Sequence, residues 1–236
     1  MGAEPRTAAQ GRFLLLVASL FTGTLIVSNI IAVKIADFSA VSGPIPDYYL
    51  PAAVVVFPIS YILGDVLTEV YGYAVARRII WSGFVANAVA VGAIAAAQEL
   101  PSAPFWGNQQ AYEAILGQTW RIVLASFTAY LAGEFSNSMV LSRMKLLTRG
   151  RLLWTRTIGS TVVGQGLDSA IFITIAFAGQ PGIELWALIW KQWSFKVAFE
   201  ALATPCTYLV VNALKRAEGI DVYDEGVSLN PVAVWE

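Results

Sequence analysis

The amino-acid sequence predicts an all-α integral membrane protein in which six transmembrane helices form one bundle. Hydrophobic residues make up 57% of the 236 residues and charged residues only 13%, whereas an ordinary soluble domain has roughly 25% charged residues. The apolar residues fall into separate blocks of about 20 residues, the length that a helix needs to cross the hydrocarbon of a bilayer. The basic residues are concentrated in alternate connections, as expected for a chain that crosses a membrane repeatedly.

Six apolar blocks are each long enough to span a bilayer, and each is predicted to be a helix because lipid cannot pair the backbone of an open strand. The predicted spans are Phe13 to Ile35, Leu50 to Val70, Ile79 to Gln98, Ile122 to Leu141, Ile158 to Ala178 and Trp193 to Val211. They divide the chain into an N-terminal tail (1–12), a six-helix domain (13–213) and a C-terminal tail (214–236). The first block is longer than the apolar part of a signal peptide, so we expect it to be retained.

The distribution of basic residues predicts the orientation of the chain. Eleven of the 15 Lys and Arg residues lie in the two tails and in the second and fourth loops, whereas the other loops contain only Arg121 and Lys191. Basic loops stay on the cytoplasmic side, so both termini are expected in the cytoplasm. The acidic residues after Ala217 are expected to form a solvated end; they are Glu218, Asp221, Asp224 and Glu225.

Composition argues against several kinds of site. The chain has no histidine, which removes imidazole as a general base, a metal ligand and a pH switch. Its single cysteine, Cys206, cannot form an intrachain disulfide. The net charge is −1, and no polar domain carries the clustered basic residues that nucleic acids require. We therefore expect no cofactor, no metal and no direct contact with nucleic acid; the expected partners are the lipid bilayer and a small molecule.

Seven ionisable residues lie inside the predicted spans, where charge is costly; they are Lys34, Asp65, Glu69, Glu134, Asp168, Lys196 and Glu200. An ionised group at the membrane centre costs roughly 3 kcal/mol, so seven unpaired groups would cost on the order of 20 kcal/mol. A typical protein has a net stability of only about 5–15 kcal/mol. These groups must therefore be paired, protonated or directed into a polar cavity, and five carboxylates against two lysines leave up to three without a cation.

Helical spacing places the polar residues on one face of each of four spans. The second span contributes Tyr61, Asp65, Thr68 and Glu69; the fourth Tyr130, Glu134 and Asn137; the fifth Thr161, Gln165, Asp168 and Phe172; and the sixth Trp193, Lys196, Glu200, Thr204 and Thr207. Because lipid cannot solvate these faces, we expect them to surround a common central site. The predicted substrate-binding residues are Asn29, Tyr61, Asp65, Glu134, Asn137, Gln165, Asp168, Phe172, Trp193, Lys196 and Glu200.

The same residues also allow a purely structural interpretation, in which they hold neighbouring helices together by hydrogen bonds worth roughly 0.6 to 2 kcal/mol each. Lys196 and Glu200 are spaced to neutralise each other on one helix, and Glu69 lies close enough to Arg77 or Arg78 to pair with either. Five carboxylates against two lysines favour a functional cavity over this interpretation.

Two prolines lie close to these polar faces. Pro58 is expected to interrupt the second span one turn before Tyr61, and Pro205 the sixth span after Glu200. Each would release a backbone carbonyl near the polar residues.

Four segments of the chain resemble the queuosine precursor transporter family, also known as a vitamin uptake transporter group. They are the run from Phe57 to Tyr73, the run from Arg156 to Gly179, the Lys196 and Glu200 pair followed by Pro205, and the run from Lys215 to Asp224. The resemblance implies a bacterial inner-membrane importer of 7-cyano-7-deazaguanine, 7-aminomethyl-7-deazaguanine or queuine, precursors of the tRNA modification queuosine. It also implies a helical layout similar to that of the substrate-binding subunits of energy-coupling-factor transporters.

The side chains of the central site suit such a ligand. A guanine-like edge presents a ring N–H beside an amino group, and one carboxylate, Asp168 or Glu134, can accept both. Asn137 and Gln165 would lie beside that carboxylate, and an aromatic ring of Tyr61, Phe172 or Trp193 would stack on the flat base. We expect Asp65 and Glu200 to line the path or to carry a proton.

Two other functions fit parts of the pattern. The chain could be a binding subunit that needs a separate energising partner, or an intramembrane enzyme that uses Asp65 and Asp168 as an acid and base couple. No catalytic signature accompanies that pair, so transport is favoured and no enzyme is expected. The preferred deazaguanine, the coupling ion and the oligomeric state, with a homodimer as one alternative, stay open from the sequence.

Overall fold

The computed structural model describes residues 11–38, 49–117, 120–179 and 184–234. Within these residues the chain forms α1 Leu14–Ile31, β1 Ile35–Asp37, β2 Tyr49–Pro51, α2 Phe57–Tyr71, α3 Tyr73–Gln98, α4 Gln109–Leu116, α5 Trp120–Leu147, α6 Leu153–Phe177 and α7 Leu185–Glu218. Each of the six long helices overlaps one predicted span, which confirms the helical fold. By length and composition alone, α1, α3, α6 and α7 are each able to cross a membrane.

The second predicted span is wrong at its beginning. Residues 49–51 form β2, which pairs antiparallel with β1, and a 3-10 turn occupies Ala52–Val55 before α2 starts at Phe57. Pro58 therefore lies in the first turn of α2 and does not interrupt it, because a proline at that position removes no needed hydrogen bond. Pro205 does lie inside α7. The first span was also predicted too long, since α1 ends at Ile31 and Ile35 belongs to β1.

Glycines let α5 and α6 pack backbone to backbone. A Cβ atom on Gly133 would lie 2.8 Å from Asp168 Cβ, and one on Gly164 would lie 2.7 Å from Asn137 Cβ. Helices in membranes approach this closely where small residues face each other. The contact places the polar faces of α5 and α6 side by side.

The two ends of the bundle differ. Lys145, Arg156 and Lys215 lie at the end of the bundle where α2, α5 and α7 terminate, and we call it the "basic end". We call the opposite end the "open end". An apolar cluster fills the basic half between α1, α2, α3 and α7; its buried members include Val17, Phe21, Val66, Leu67, Val70, Tyr71, Ile79 and Val211. This half of the bundle is therefore tightly packed.

A buried ionic cluster ties four helices together at the basic end. Glu69 of α2 is fully buried and accepts hydrogen bonds of 2.7 Å from two guanidinium nitrogens of Arg156 on α6. Lys215 Nζ of α7 lies 2.5 Å from Glu69 Oε1, and Lys145 Nζ of α5 lies 3.6 Å from the same atom. Both lysines also contact Asp221 Oδ1, Lys145 at 2.6 Å and Lys215 at 2.9 Å. We call these five residues the basic-end cluster.

The structural interpretation had allowed Arg77 or Arg78 as the partner of Glu69, but Glu69 pairs with the three cations of the basic-end cluster. The two arginines instead donate to backbone carbonyl oxygens of the C-terminal segment: Arg77 to Ser228 and Asn230, and Arg78 to Val234.

The prediction of a solvated C-terminal end is confirmed for Asp221 and Glu225, which are exposed, and wrong for Glu218 and Asp224. The Asp224 side chain is only 6% exposed, and its carboxylate accepts hydrogen bonds from the Tyr73 backbone N–H at 3.0 Å and from Ser142 Oγ at 2.7 Å. Glu218 accepts bonds of 2.7 Å from the backbone N–H groups of Arg12 and Phe13, just before α1. The C-terminal segment is thus folded against the basic end, because its acids satisfy backbone donors at helix starts.

Candidate functional site

A cavity of about 770 Å³ lies in the middle of the bundle. Small-molecule sites commonly have volumes of about 300–1,000 Å³. The wall reaches the exposed side chains of Val33 and Ile115 at the open end. Its deepest lining residues include Glu134 and Phe21, and Phe21 belongs to the apolar cluster that separates the cavity from the basic-end cluster. The cavity is therefore accessible from the open end and closed towards the basic end within the described part of the chain.

Seven of the eleven predicted site residues line this cavity: Asn29, Tyr61, Glu134, Gln165, Asp168, Phe172 and Lys196. They come from α1, α2, α5, α6 and α7. The polar faces of these helices therefore meet around one space, as helical spacing predicted. Their role in ligand binding stays a prediction.

Lys196 of α7 forms an ion pair with a residue of the neighbouring helix α6. Its Nζ atom donates to Asp168 Oδ2 of α6, and it also lies 5.8 Å from the centre of the Tyr61 ring. The structural interpretation had allowed Glu200, on the same helix, as the partner of Lys196; the structure shows Asp168 in that place. Since Asp168 Oδ2 is already engaged, this carboxylate is less able to accept two bonds from a ligand.

Glu134 is the buried carboxylate of the cavity wall with spare hydrogen-bonding capacity. Its side chain is 8% exposed, and within the described ranges no hydrogen bond or ion pair engages it. The neighbouring Tyr130 hydroxyl donates to the Ile80 carbonyl at 2.9 Å instead. Gly64 leaves room for the carboxylate, because a Cβ there would lie 3.3 Å from Glu134 Oε2. Both oxygens of Glu134 can therefore accept bonds from a molecule in the cavity.

Aromatic and amide groups complete the wall. Phe172 packs edge-on against Phe177 with ring centres 6.3 Å apart, and both line the cavity. On the α1 side, Asn29 Nδ2 donates to Asn87 Oδ1 at 2.9 Å. Asn87 was missed in the sequence analysis, although an amide within the otherwise apolar third span was a signal. Such a wall combines flat apolar surfaces with a few polar groups, as is usual for small-molecule sites.

Four predicted site residues lie outside the cavity wall. Trp193 donates its indole N–H to the Val162 carbonyl at 3.0 Å and packs beside Gly166. Asp65, Asn137 and Glu200 lie deeper in the bundle and are 1%, 5% and 1% exposed. The structure thus divides the single predicted site into a cavity wall and a separate buried group.

The fold and the cavity together define a class of protein: a multi-pass membrane protein with an internal, solute-sized chamber whose largely apolar wall carries a few polar groups. Residues 51–210 match the family described as "Putative vitamin uptake transporter". Because this match covers more than half of the 236 residues, the chain belongs to that family.

Two curated relatives support this assignment. A Bacillus subtilis protein named "Probable queuosine precursor transporter" is 32% identical over 146 residues, which cover 61% of this chain and 64% of that protein. An Escherichia coli protein named "Queuosine precursor transporter" is 29% identical over 128 residues, which cover 53% of this chain and 54% of that protein. The chain thus spans less than two thirds of either relative. No solved structure matches the chain, so the expected likeness to energy-coupling-factor subunits stays a prediction.

Proposed function

We propose that this protein imports queuosine precursors of the 7-deazaguanine type through a bacterial inner membrane, by alternating access around the central cavity. The proposal rests on one observation: the wall of a chamber of about 770 Å³ contains the buried carboxylate of Glu134, which has no hydrogen bond or ion pair with any residue that the structure describes. The names of the two curated relatives support the same substrate class. The candidate substrates are 7-cyano-7-deazaguanine, 7-aminomethyl-7-deazaguanine and queuine.

The chemistry of the wall fits the donor edge of a guanine-like base. A ring N–H and the adjacent amino group form two parallel donors, and a carboxylate accepts both in a bidentate contact. Glu134 takes this role in preference to Asp168, because Asp168 is held by Lys196. Lys196 can donate to the carbonyl oxygen that adjoins the ring N–H, and Tyr61 and Phe172 supply flat surfaces for stacking.

The distribution of basic residues supports an outward-facing orientation. Arg143, Lys145, Arg149, Arg151 and Arg156 lie at or near the loop that joins α5 to α6, at the basic end. The positive-inside rule assigns such loops to the cytoplasm. Both termini are then cytoplasmic, and the open end of the cavity faces outwards, ready to receive substrate.

Uptake of radiolabelled 7-cyano-7-deazaguanine into cells that cannot make the precursor tests the proposal. Glu134→Gln should weaken substrate binding about 10- to 100-fold, because a hydrogen bond to a charged group contributes about 1.5–3 kcal/mol. Thermal-shift binding to the purified protein should show the same order of loss. It should also show selectivity for bases that carry the guanine edge over adenine-type bases.

Glu99→Gln is the matched control, because Glu99 is an exposed acid at the end of α3. It should import and bind like the unaltered protein. If Glu134→Gln and Asp168→Asn, expressed normally, both import at the full rate, the assigned site is wrong. If the unaltered protein imports nothing, the transport function is wrong.

The test also separates the other functions considered. The matched family is one of transporters, and Asp65 and Asp168 have different partners, Asn137 and Lys196, so we propose no enzymatic activity. Uptake by the purified protein alone in liposomes would exclude a binding subunit that depends on an energising partner.

A further inference from the structure

Four buried side chains form a second polar group at the inner end of the cavity. Asp65 and Glu200 follow the cavity-lining Tyr61 and Lys196 by four residues each, towards the basic end. Asn137 of α5 and Gln165 of α6 complete the group. All four are more than nine-tenths buried, and Gln165 also lines the cavity.

The oxygens of this group have fewer hydrogen bonds than buried polar atoms normally have. Asp65 Oδ2, Asn137 Oδ1, Gln165 Oε1 and Glu200 Oε1 have no hydrogen-bond partner among the described residues. The group does have one internal bond, from Asn137 Nδ2 to Asp65 Oδ1 at 2.8 Å. Buried polar atoms are nearly always satisfied in proteins, so several orphaned acceptors in one place indicate a missing donor.

Cations near this group are engaged elsewhere. Lys196 is bound by Asp168, and Arg156, Lys145 and Lys215 belong to the basic-end cluster around Glu69. The charges that act on Asp65 are those of Glu200 on α7, Glu134 on α5 and Glu69 on α2. Tyr61 of α2 and Asp168 of α6 are the other titratable groups close by. Two ionised carboxylates would therefore repel each other in an apolar interior.

We propose that Asp65 and Glu200 form a proton-binding site that couples substrate uptake to proton movement into the cell. A proton on either carboxylate supplies an O–H donor for an orphaned oxygen and removes one negative charge. The carboxylate takes up the proton through the outward-facing cavity and releases it to the cytoplasm after the bundle has opened there. Gln165, which lines the cavity and lies in the buried group, links the two sites. This inference rests on the transport function proposed above.

Liposomes containing the purified protein and a trapped pH-sensitive dye test the proposal. With an alkaline interior, external 7-cyano-7-deazaguanine should acidify the interior and accumulate there. Asp65→Asn and Glu200→Gln should each reduce both effects at least tenfold. They should still exchange labelled for unlabelled substrate across the membrane, because exchange requires no net movement of protons. Glu99→Gln, the exposed control, should behave like the unaltered protein.

The outcomes distinguish this inference from the transport function. Accumulation that ignores the pH gradient, or that requires sodium ions instead, overturns the proton site and leaves transport intact. Folded variants that lose exchange together with accumulation also overturn it, because the two acids would then act in binding or structure. If either Asp65→Asn or Glu200→Gln does not fold, the other amide variant tests the proton site together with Glu200→Asp. Glu200→Asp keeps a carboxylate and should retain proton movement. A wild-type protein that neither accumulates nor exchanges substrate contradicts the transport function itself.

Discussion

Removing the negative charge of Glu69 should destabilise the whole bundle. This carboxylate is fully buried and holds Arg156 through two bonds of 2.7 Å and Lys215 through one contact of 2.5 Å, with Lys145 at 3.6 Å. Glu69→Gln keeps the size of the side chain, but it leaves Arg156 without a carboxylate in the cluster and leaves Lys145 and Lys215 to share Asp221. The Asp221 side chain is 42% exposed, so it compensates only in part.

The expected loss follows from the geometry of the cluster. Breaking a buried ion pair by removing one partner costs about 3–5 kcal/mol. Because Asp221 still neutralises one lysine, we expect a value near the lower limit, about 3 kcal/mol. In a chain of 236 residues, each kcal/mol lowers Tm by about 2–4 °C, so Tm should fall by roughly 6–12 °C.

Thermal unfolding of the purified protein in detergent measures this change. Glu225→Gln, which alters an exposed acid in the same C-terminal region, should stay within about 0.5 kcal/mol of the unaltered protein. A double variant, Glu69→Gln with Arg156→Gln, should cost less than the sum of the single variants, because it removes one orphaned charge. If Glu69→Gln is as stable as Glu225→Gln, the cluster does not support the fold and the reasoning is refuted.

Three further predictions concern packing and the C-terminal segment. Gly164→Ala should lower the free energy of unfolding by about 1–3 kcal/mol through overpacking. Gly92→Ala, the control, has open space around it and should raise that free energy by about 0.5–1 kcal/mol. Equal changes in Tm would contradict the close contact between α5 and α6. Burial raises the pKa of Asp221, but bonds from Lys145 and the other lysine of the basic-end cluster outweigh it and hold that pKa below its usual value. The stabilisation from Asp221 is therefore complete above the usual pKa of an aspartate and is lost as pH falls through the lowered pKa of the folded state. Asp221→Asn should for this reason make Tm less dependent on pH in the acid range. A Tm–pH curve that matches the unaltered protein would contradict this prediction. Asp224→Asn should make the C-terminal segment more sensitive to protease while substrate binding persists, and unchanged cleavage would show that the segment is held by its other contacts.

Features that depend on local pattern were predicted from the sequence. Apolar blocks of membrane length became the six long helices, because a chain in lipid must pair its backbone within the segment. Helical spacing brought Tyr61, Glu134, Asp168 and Lys196 to one cavity, because each helix has a single polar face that lipid cannot solvate. The prediction that the second span begins at Leu50 was wrong, because an apolar run alone does not distinguish a short strand and turn from a helix.

Features that depend on distant partners were not predicted. Lys196 has Glu200 one turn away along its own helix, yet it pairs with Asp168 of α6. Glu69 pairs with Arg156, 87 residues further along the chain, instead of a nearby arginine. The C-terminal acids look solvated in the sequence, but Asp224 binds the start of α3. In each case several partners are chemically equivalent, and only the packing of the helices selects one.

The sequence by itself determined that this protein lies in a membrane, that it contains six long helices, and that its carboxylates converge on the interior. Those properties follow from the transfer energies of side chains and from helical periodicity, which act within each segment. The tertiary structure alone decided which carboxylates are neutralised, and so which remain to bind a ligand or a proton. A buried charge is stabilised by whichever counter-charge and donor come within a few ångströms, and that proximity is set by how the helices pack.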